Sequence, residues 1–162
     1  MEGGPFSVTT VIETIEIRAP REAVFAAITD PRRTMEWNSN ILEVGSLSEY
    51  PPRSGTTWSQ TAVMAGRRAK LTCRVSAWSP PDIGVLSISG DQTAKVTTRC
   101  TLAGNLTRVE QTIDFKPPGG LIGAVAGSLI AQQVRRELKK TLERQRDVLE
   151  TESRGTSGPV TA

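Results

Sequence analysis

Between Ile41 and Phe115 the sequence breaks into short runs in which apolar and polar residues alternate, and turn signals separate them. The breaks fall at Pro51-Pro52, Ala65-Gly66, Pro80-Pro81, Gly90-Asp91 and Gly104-Asn105. Alternation of period two marks strands with one buried and one solvated face. Six strands fit: Ile41 to Glu49, Thr56 to Met64, Arg67 to Trp78, Val85 to Ser89, Ala94 to Ala103 and Thr107 to Lys116. The connections are too short for crossover helices, so consecutive strands must pair antiparallel. The clearest run sets Ala69, Leu71, Cys73, Val75 and Ala77 against Arg68, Lys70, Thr72, Arg74 and Ser76.

Helices flank this block. Ser7 to Arg18 is rich in Val, Ile and Thr and reads as a first strand. Pro20 is placed to start a helix that runs to Asp30, with Val24, Phe25 and Ile28 at helical spacing. A second short helix fits Arg32 to Trp37. After Pro117-Pro118-Gly119-Gly120 a long helix is expected from Leu121 to Glu150. Its first half is apolar on nearly all sides, and its second half carries Ile130, Val134, Leu138 and Leu142 at i, i+4 spacing. A sheet with one apolar face and a helix with an apolar stripe bury each other. The fold class is therefore α+β: a seven-stranded curved antiparallel sheet wrapped around a long C-terminal helix, with two short helices after the first strand.

The length of 162 residues fits one domain, taken as residues 7–150, with an extension at 1–6 and a disordered tail at 151–162. The sequence contains no histidine, which removes imidazole bases, His-based triads and most zinc sites. Gly119, Gly120 and Gly123 lack the Lys-Ser/Thr of a phosphate loop. No cofactor and no metal are expected. The net charge of +3 is spread among interleaved acids and bases, without the clustered cations and stacking aromatics of a nucleic-acid binder. No run approaches the ~20 apolar residues of a membrane span, and the first residues lack the pattern of a secretory signal. Cytoplasmic residence, with Cys73 and Cys100 as reduced buried thiols, is the expectation. A homodimer is left open.

The segments IEIRAPREAVFAAITDPRRTMEWN, VSAWSPPD and LTRVEQTIDF, followed by the terminal helix, resemble the START-like superfamily. This is the SRPBCC group of polyketide cyclase/dehydrase-like and Bet v 1-like helix-grip proteins. The resemblance spans Val8 to Glu150. It implies a sheet gripping the last helix around a hydrophobic cavity. Members bind lipids, sterols, polyketides or hormones, some cyclise or dehydrate a polyketide, and others act as co-chaperones. The expected partner is a small hydrophobic molecule, lipid-, sterol- or polyketide-like, held by a carrier or sensor. The alternatives are a cyclase/dehydrase-type enzyme and a protein-interaction module. No catalytic residue is assigned, because the superfamily has no shared catalytic signature.

If the dry strand faces line the cavity, Trp58, Gln60 and Met64 lie on one strand and Leu71 and Cys73 on the next. Thr98 and Cys100, then Gln111 and Ile113, continue the wall. Trp37 is placed at the mouth, and Val125 and Leu129 on the long helix. Gln60 and Gln111 are the informative members, because a buried amide must find partners. They bond either a ligand or neighbouring groups of the chain. Trp78 is read as packing at a strand end. Glu110, Asp114, Arg74 and Arg99 fall on the wet face.

Overall fold

The computed structural model describes residues 8–117 and 124–156. Seven strands, β1 (Thr9–Ile17), β2 (Ile41–Gly45), β3 (Thr57–Met64), β4 (Arg67–Ser79), β5 (Ile83–Gly90), β6 (Ala94–Ala103) and β7 (Leu106–Phe115), form one sheet. Their spatial order is β1-β7-β6-β5-β4-β3-β2, and every neighbouring pair is antiparallel. The first strand thus joins the last, and β5 and β6 lie near the centre. Helices α1 (Arg21–Ile28) and α2 (Thr34–Trp37) follow β1, and α3 (Ala124–Thr156) ends the described chain.

Local chemistry sets these boundaries. Pro20 supplies an extended residue with φ −62° just before α1, a torsion its ring already fixes. Asp30 accepts a hydrogen bond from the Arg32 backbone N–H at 2.9 Å and starts a 3-10 turn, Pro31–Arg33, that leads into α2. β2 is shorter than the sequence indicates. Ser46 has φ 56° and takes the chain out of extended geometry after Gly45. β5 begins two residues earlier than expected, at Ile83, which pairs with Ser79. The expected helix start at Leu121 lies outside the described residues. At its other end α3 continues through Thr156, six residues into the segment read as a tail. Glu152 is held there by Arg33 at 2.6 Å.

α3 packs chiefly on β1, and on α1 and α2. Leu138, Leu142 and Leu149 on its second half are buried against Val11, Ile17, Val24, Phe25 and Val109. Each such side chain contributes ~1.5–3 kcal/mol by leaving water. Further ties fix this half: the Arg18 N–H donates to Glu150 at 2.8 Å, Asn40 to Glu137 at 3.3 Å, and Arg144 to the Trp37 carbonyl at 3.3 Å. No helix among the described residues is long and apolar enough to cross a membrane.

Candidate functional site

The pairing register turns the concave face of the sheet into rows that cross the strands. One row is Trp58, Cys73, Ile88, Ala94 and Phe115. The next is Val75, Leu86, Val96, Ile113 and Val11. The third, nearer α1, is Trp78, Gly84, Thr98, Gln111 and Glu13.

A β-bulge builds the third row. Ser76 is the extra residue between the pairs Val75–Leu86 and Ala77–Val85, and such an insertion reverses the alternation beyond it. Ala77, expected on the dry face, is exposed, and Trp78 turns inward instead. Its ring meets Phe25 at 5.1 Å between centroids and lies against Gly84, where an added Cβ would stand 3.1 Å from Trp78 Cζ3.

Burial across this face is uneven. Trp58, Leu71, Cys73, Val75, Thr98, Cys100 and Gln111 are buried. Leu86, Ile88, Val96 and Ile113 sit in the middle of the sheet, yet they are only half-buried. In a filled core the centre of the sheet would be its driest part. On the opposite wall Ile130, Ala131 and Val134, in the first half of α3, are half-buried as well. The buried apolar residues divide accordingly. One cluster lies under α3 and α1, and two smaller ones form on β3 and β4, one around Trp58, Cys73 and Val75, the other around Ala62, Ala69 and Leu71. The sheet centre and the first half of α3 are therefore the least covered apolar surfaces of this face, although Ile113, Ile130, Ala131 and Val134 pack on the edge of the main cluster.

The polar residues of this face are partnered as follows. Gln60 Oε1 accepts from the Trp58 indole N–H at 3.0 Å, and Gln111 Nε2 donates to Thr98 Oγ1 at 3.0 Å. Both glutamines thus bond neighbouring side chains of their own chain. The Glu13 carboxylate lies 3.7 Å from Arg135 Nε of α3. Cys73 and Cys100 have thiols pushed up to about 12 by burial, so neither is a nucleophile at neutral pH.

The remaining expected site residues fall elsewhere. Met64 points to the concave side but ends its strand at the Ala65-Gly66 turn and is 38% exposed. Leu129 is 61% exposed, because it lies off the stripe that α3 turns to the sheet. Neither is enclosed. The Val125 side chain lies outside the described residues. Trp37 is buried with the helices, under Arg33 at 5.0 Å from its ring, rather than in the sheet centre. Sequence reasoning did not single out Glu13, although it shares the parity of Val11, Ile15 and Ile17 in β1. It also passed over Gln145 of α3, which is buried with Oε1 unpartnered. A solvent-open groove of about 370 Å³, lined in part by Phe25 and Trp78, runs between α1, Tyr50-Pro51-Pro52 and Pro80-Pro81. Among the described residues no group of His, Cys, Asp and Glu is arranged to hold a metal.

A family profile described as polyketide cyclase / dehydrase and lipid transport matches residues 8–150. The chain belongs to this family. With it comes membership of the START-like, SRPBCC superfamily, which the strand order and the gripped helix bear out. Among solved structures, TTHA0849 from Thermus thermophilus superposes with a TM-score of 0.76 at 16% identity, over 90% of this chain and 99% of that one. A START superfamily protein from Mycobacterium smegmatis gives 0.66 at 17% identity, over 91% and 98%. Ara h 8.0201 gives 0.67 at 16% identity, over 90% and 99%. At these identities the likeness is one of fold. No curated protein matches the sequence significantly.

Proposed function

We propose that the protein binds a small hydrophobic molecule, lipid-, sterol- or polyketide-like, between the concave face and the first half of α3, as a carrier or sensor. The observation that carries this reading is the half-buried state of Leu86, Ile88, Val96 and Ile113 at the sheet centre. Leu86, Ile88 and Ile113 pack on the edges of the core clusters yet stay incompletely covered, which favours an apolar guest in a hollow between sheet and helix, and few polar groups interrupt the wall. Native mass spectrometry of freshly purified protein, followed by extraction, tests it. A bound apolar molecule, or uptake of a fluorescent hydrophobic probe by the emptied protein, is the expected result. A protein that arrives empty and ignores the probe would remove the reading.

A second reading, a cyclase/dehydrase-type enzyme, is favoured by Glu13, which puts a carboxylate on the concave face beside Gln111. Such a group can accept a proton from a bound carbonyl compound. Glu13→Gln would then abolish turnover while leaving ligand affinity in place, whereas a pure carrier has no turnover to lose.

A further inference from the structure

The aliphatic middle row gives way, toward α1, to a row that is polar at its centre. Thr98 and Gln111 face each other across β6 and β7 on the concave side, 5% and 8% exposed. Their mutual bond uses Gln111 Nε2 and the Thr98 oxygen as acceptor. Gln111 Oε1 and the Thr98 hydroxyl proton remain uncommitted. Among the described residues the side-chain polar atoms that are both sealed from solvent and unpartnered are Arg21 Nε and Gln145 Oε1. Gln111 Oε1 is not one of them, so it keeps access to a solvent-sized space. The pair therefore offers one acceptor and one donor side by side at the floor of the proposed hollow.

We propose that this floor selects an uncharged apolar ligand carrying a hydroxyl group, bound with the hydroxyl leading toward Thr98 and Gln111. The proposal rests on the hollow being a ligand site. A hydroxyl satisfies both open valences, since it donates to Gln111 Oε1 while it accepts from Thr98. A carboxylate head does not fit. It could accept from Thr98 but would face the Gln111 oxygen and the Glu13 carboxylate, whose Cα positions are paired. The nearby cation, Arg135, is already engaged by Glu13 and half exposed. Trp78 packs against Gly84 in the same row, next to Thr98, and closes this end of the row together with Phe25.

The test is calorimetric titration of the delipidated protein with three probes of one shape: naphthalene, 2-naphthol and 2-naphthoate. 2-Naphthol should bind about three- to tenfold more tightly than naphthalene, the worth of one buried hydrogen bond, and 2-naphthoate most weakly. Gln111→Leu and Thr98→Val should each remove the 2-naphthol advantage and leave naphthalene binding in place. Retained naphthalene affinity then shows that the variant is folded. Should Gln111→Leu fail to fold, Thr98→Val and the wild-type series still decide. Equal affinity for naphthalene and 2-naphthol, or tightest binding of 2-naphthoate, would overturn the polar floor while leaving the hollow as a ligand site. Binding of none of the three would take the hollow with it.

Discussion

Two leucine truncations of identical chemistry measure whether the sheet centre is empty. Leu142 of α3 is 1% exposed and packs inside the main cluster. Leu86 of β5 is half-buried, at the edge of the Trp58–Cys73–Val75 cluster, in the row that bounds the proposed hollow. At Leu142, loss of three methylene equivalents costs about 2.4 kcal/mol in transfer free energy, and the sealed cavity raises the total to about 3–4 kcal/mol. At Leu86 the removed atoms were partly hydrated and the new space merges with space already present, so the cavity contribution vanishes. About 1 kcal/mol is expected there. With a urea slope of about 2 kcal/mol per molar, Leu142→Ala should lower the unfolding midpoint by about 1.5–2 M and Leu86→Ala by about 0.5 M. The assay is equilibrium urea unfolding of delipidated protein, followed by circular dichroism and tryptophan fluorescence. Equal losses would mean that Leu86 is as tightly packed as Leu142. The hollow, and the ligand site built on it, would then be refuted.

Two further predictions concern titratable groups. With thiols pushed up to about 12 by burial, Cys73 and Cys100 should not react with a thiol reagent at pH 8 in the native protein and should both react in urea; rapid labelling without denaturant would contradict the packing. Burial works against ionisation of Asp30, but the side-chain and backbone hydrogen bonds from Arg32, with its charge, hold the carboxyl below its usual 3.8. A depressed pKa stabilises the fold at neutral pH, and that stabilisation is lost as pH falls through the folded value. Asn keeps the capping oxygen but loses the charge that pairs with Arg32. Asp30→Asn should therefore cost up to about 1 kcal/mol at pH 7, the scale of a part-exposed ion pair, and the gap from wild type should shrink below pH 3.8; a gap independent of pH would contradict the assignment.

The strand pattern was legible because alternation and turn residues are local signals. Inward parity came out right for β3, β7, most of β4 and β6 as far as Cys100, since those stretches each have a drier face; Leu102, expected inward at the end of β6, is 67% exposed. In β4 it failed beyond Ser76 because a bulge leaves no mark in a polar/apolar string, whereas Trp78, read from the following Ser-Pro-Pro as packing at a strand end, does pack there, against Phe25 and Gly84. β1 was legible as a strand but not as part of the site. Glu13 sits among Val11, Ile15 and Ile17, and its significance depends on pairing with β7, a contact about a hundred residues away in sequence. The glutamine partners were open for the same reason. Whether Gln111 meets Thr98 or a ligand depends on register, which composition does not encode. Exposure of Leu129 and half-burial of Leu86 depend on where α3 lies over the sheet, a matter of tertiary packing alone.

That placement divides α3 into two parts with different duties. From Leu138 to Leu149 its stripe is buried, and Glu137, Arg144, Glu150 and Glu152 tie it to the rest of the chain. From Ile130 to Val134 the same stripe is half-buried, Leu129 is exposed, and the nearest tie is the loose Arg135–Glu13 pair at 3.7 Å. Local opening is easiest where few apolar contacts must be broken. Backbone amides of residues 129–134 should therefore exchange hydrogen faster than those of 142–149, by at least about tenfold if the missing burial is worth more than ~1.4 kcal/mol. A guest in the hollow would supply the missing contacts, so its binding should slow exchange in 129–134 and leave 142–149 nearly unchanged. Hydrogen exchange read by mass spectrometry resolves the two segments. Uniform protection along α3 in the emptied protein would mean that its first half already has all its neighbours, and no space would remain for a guest beneath it.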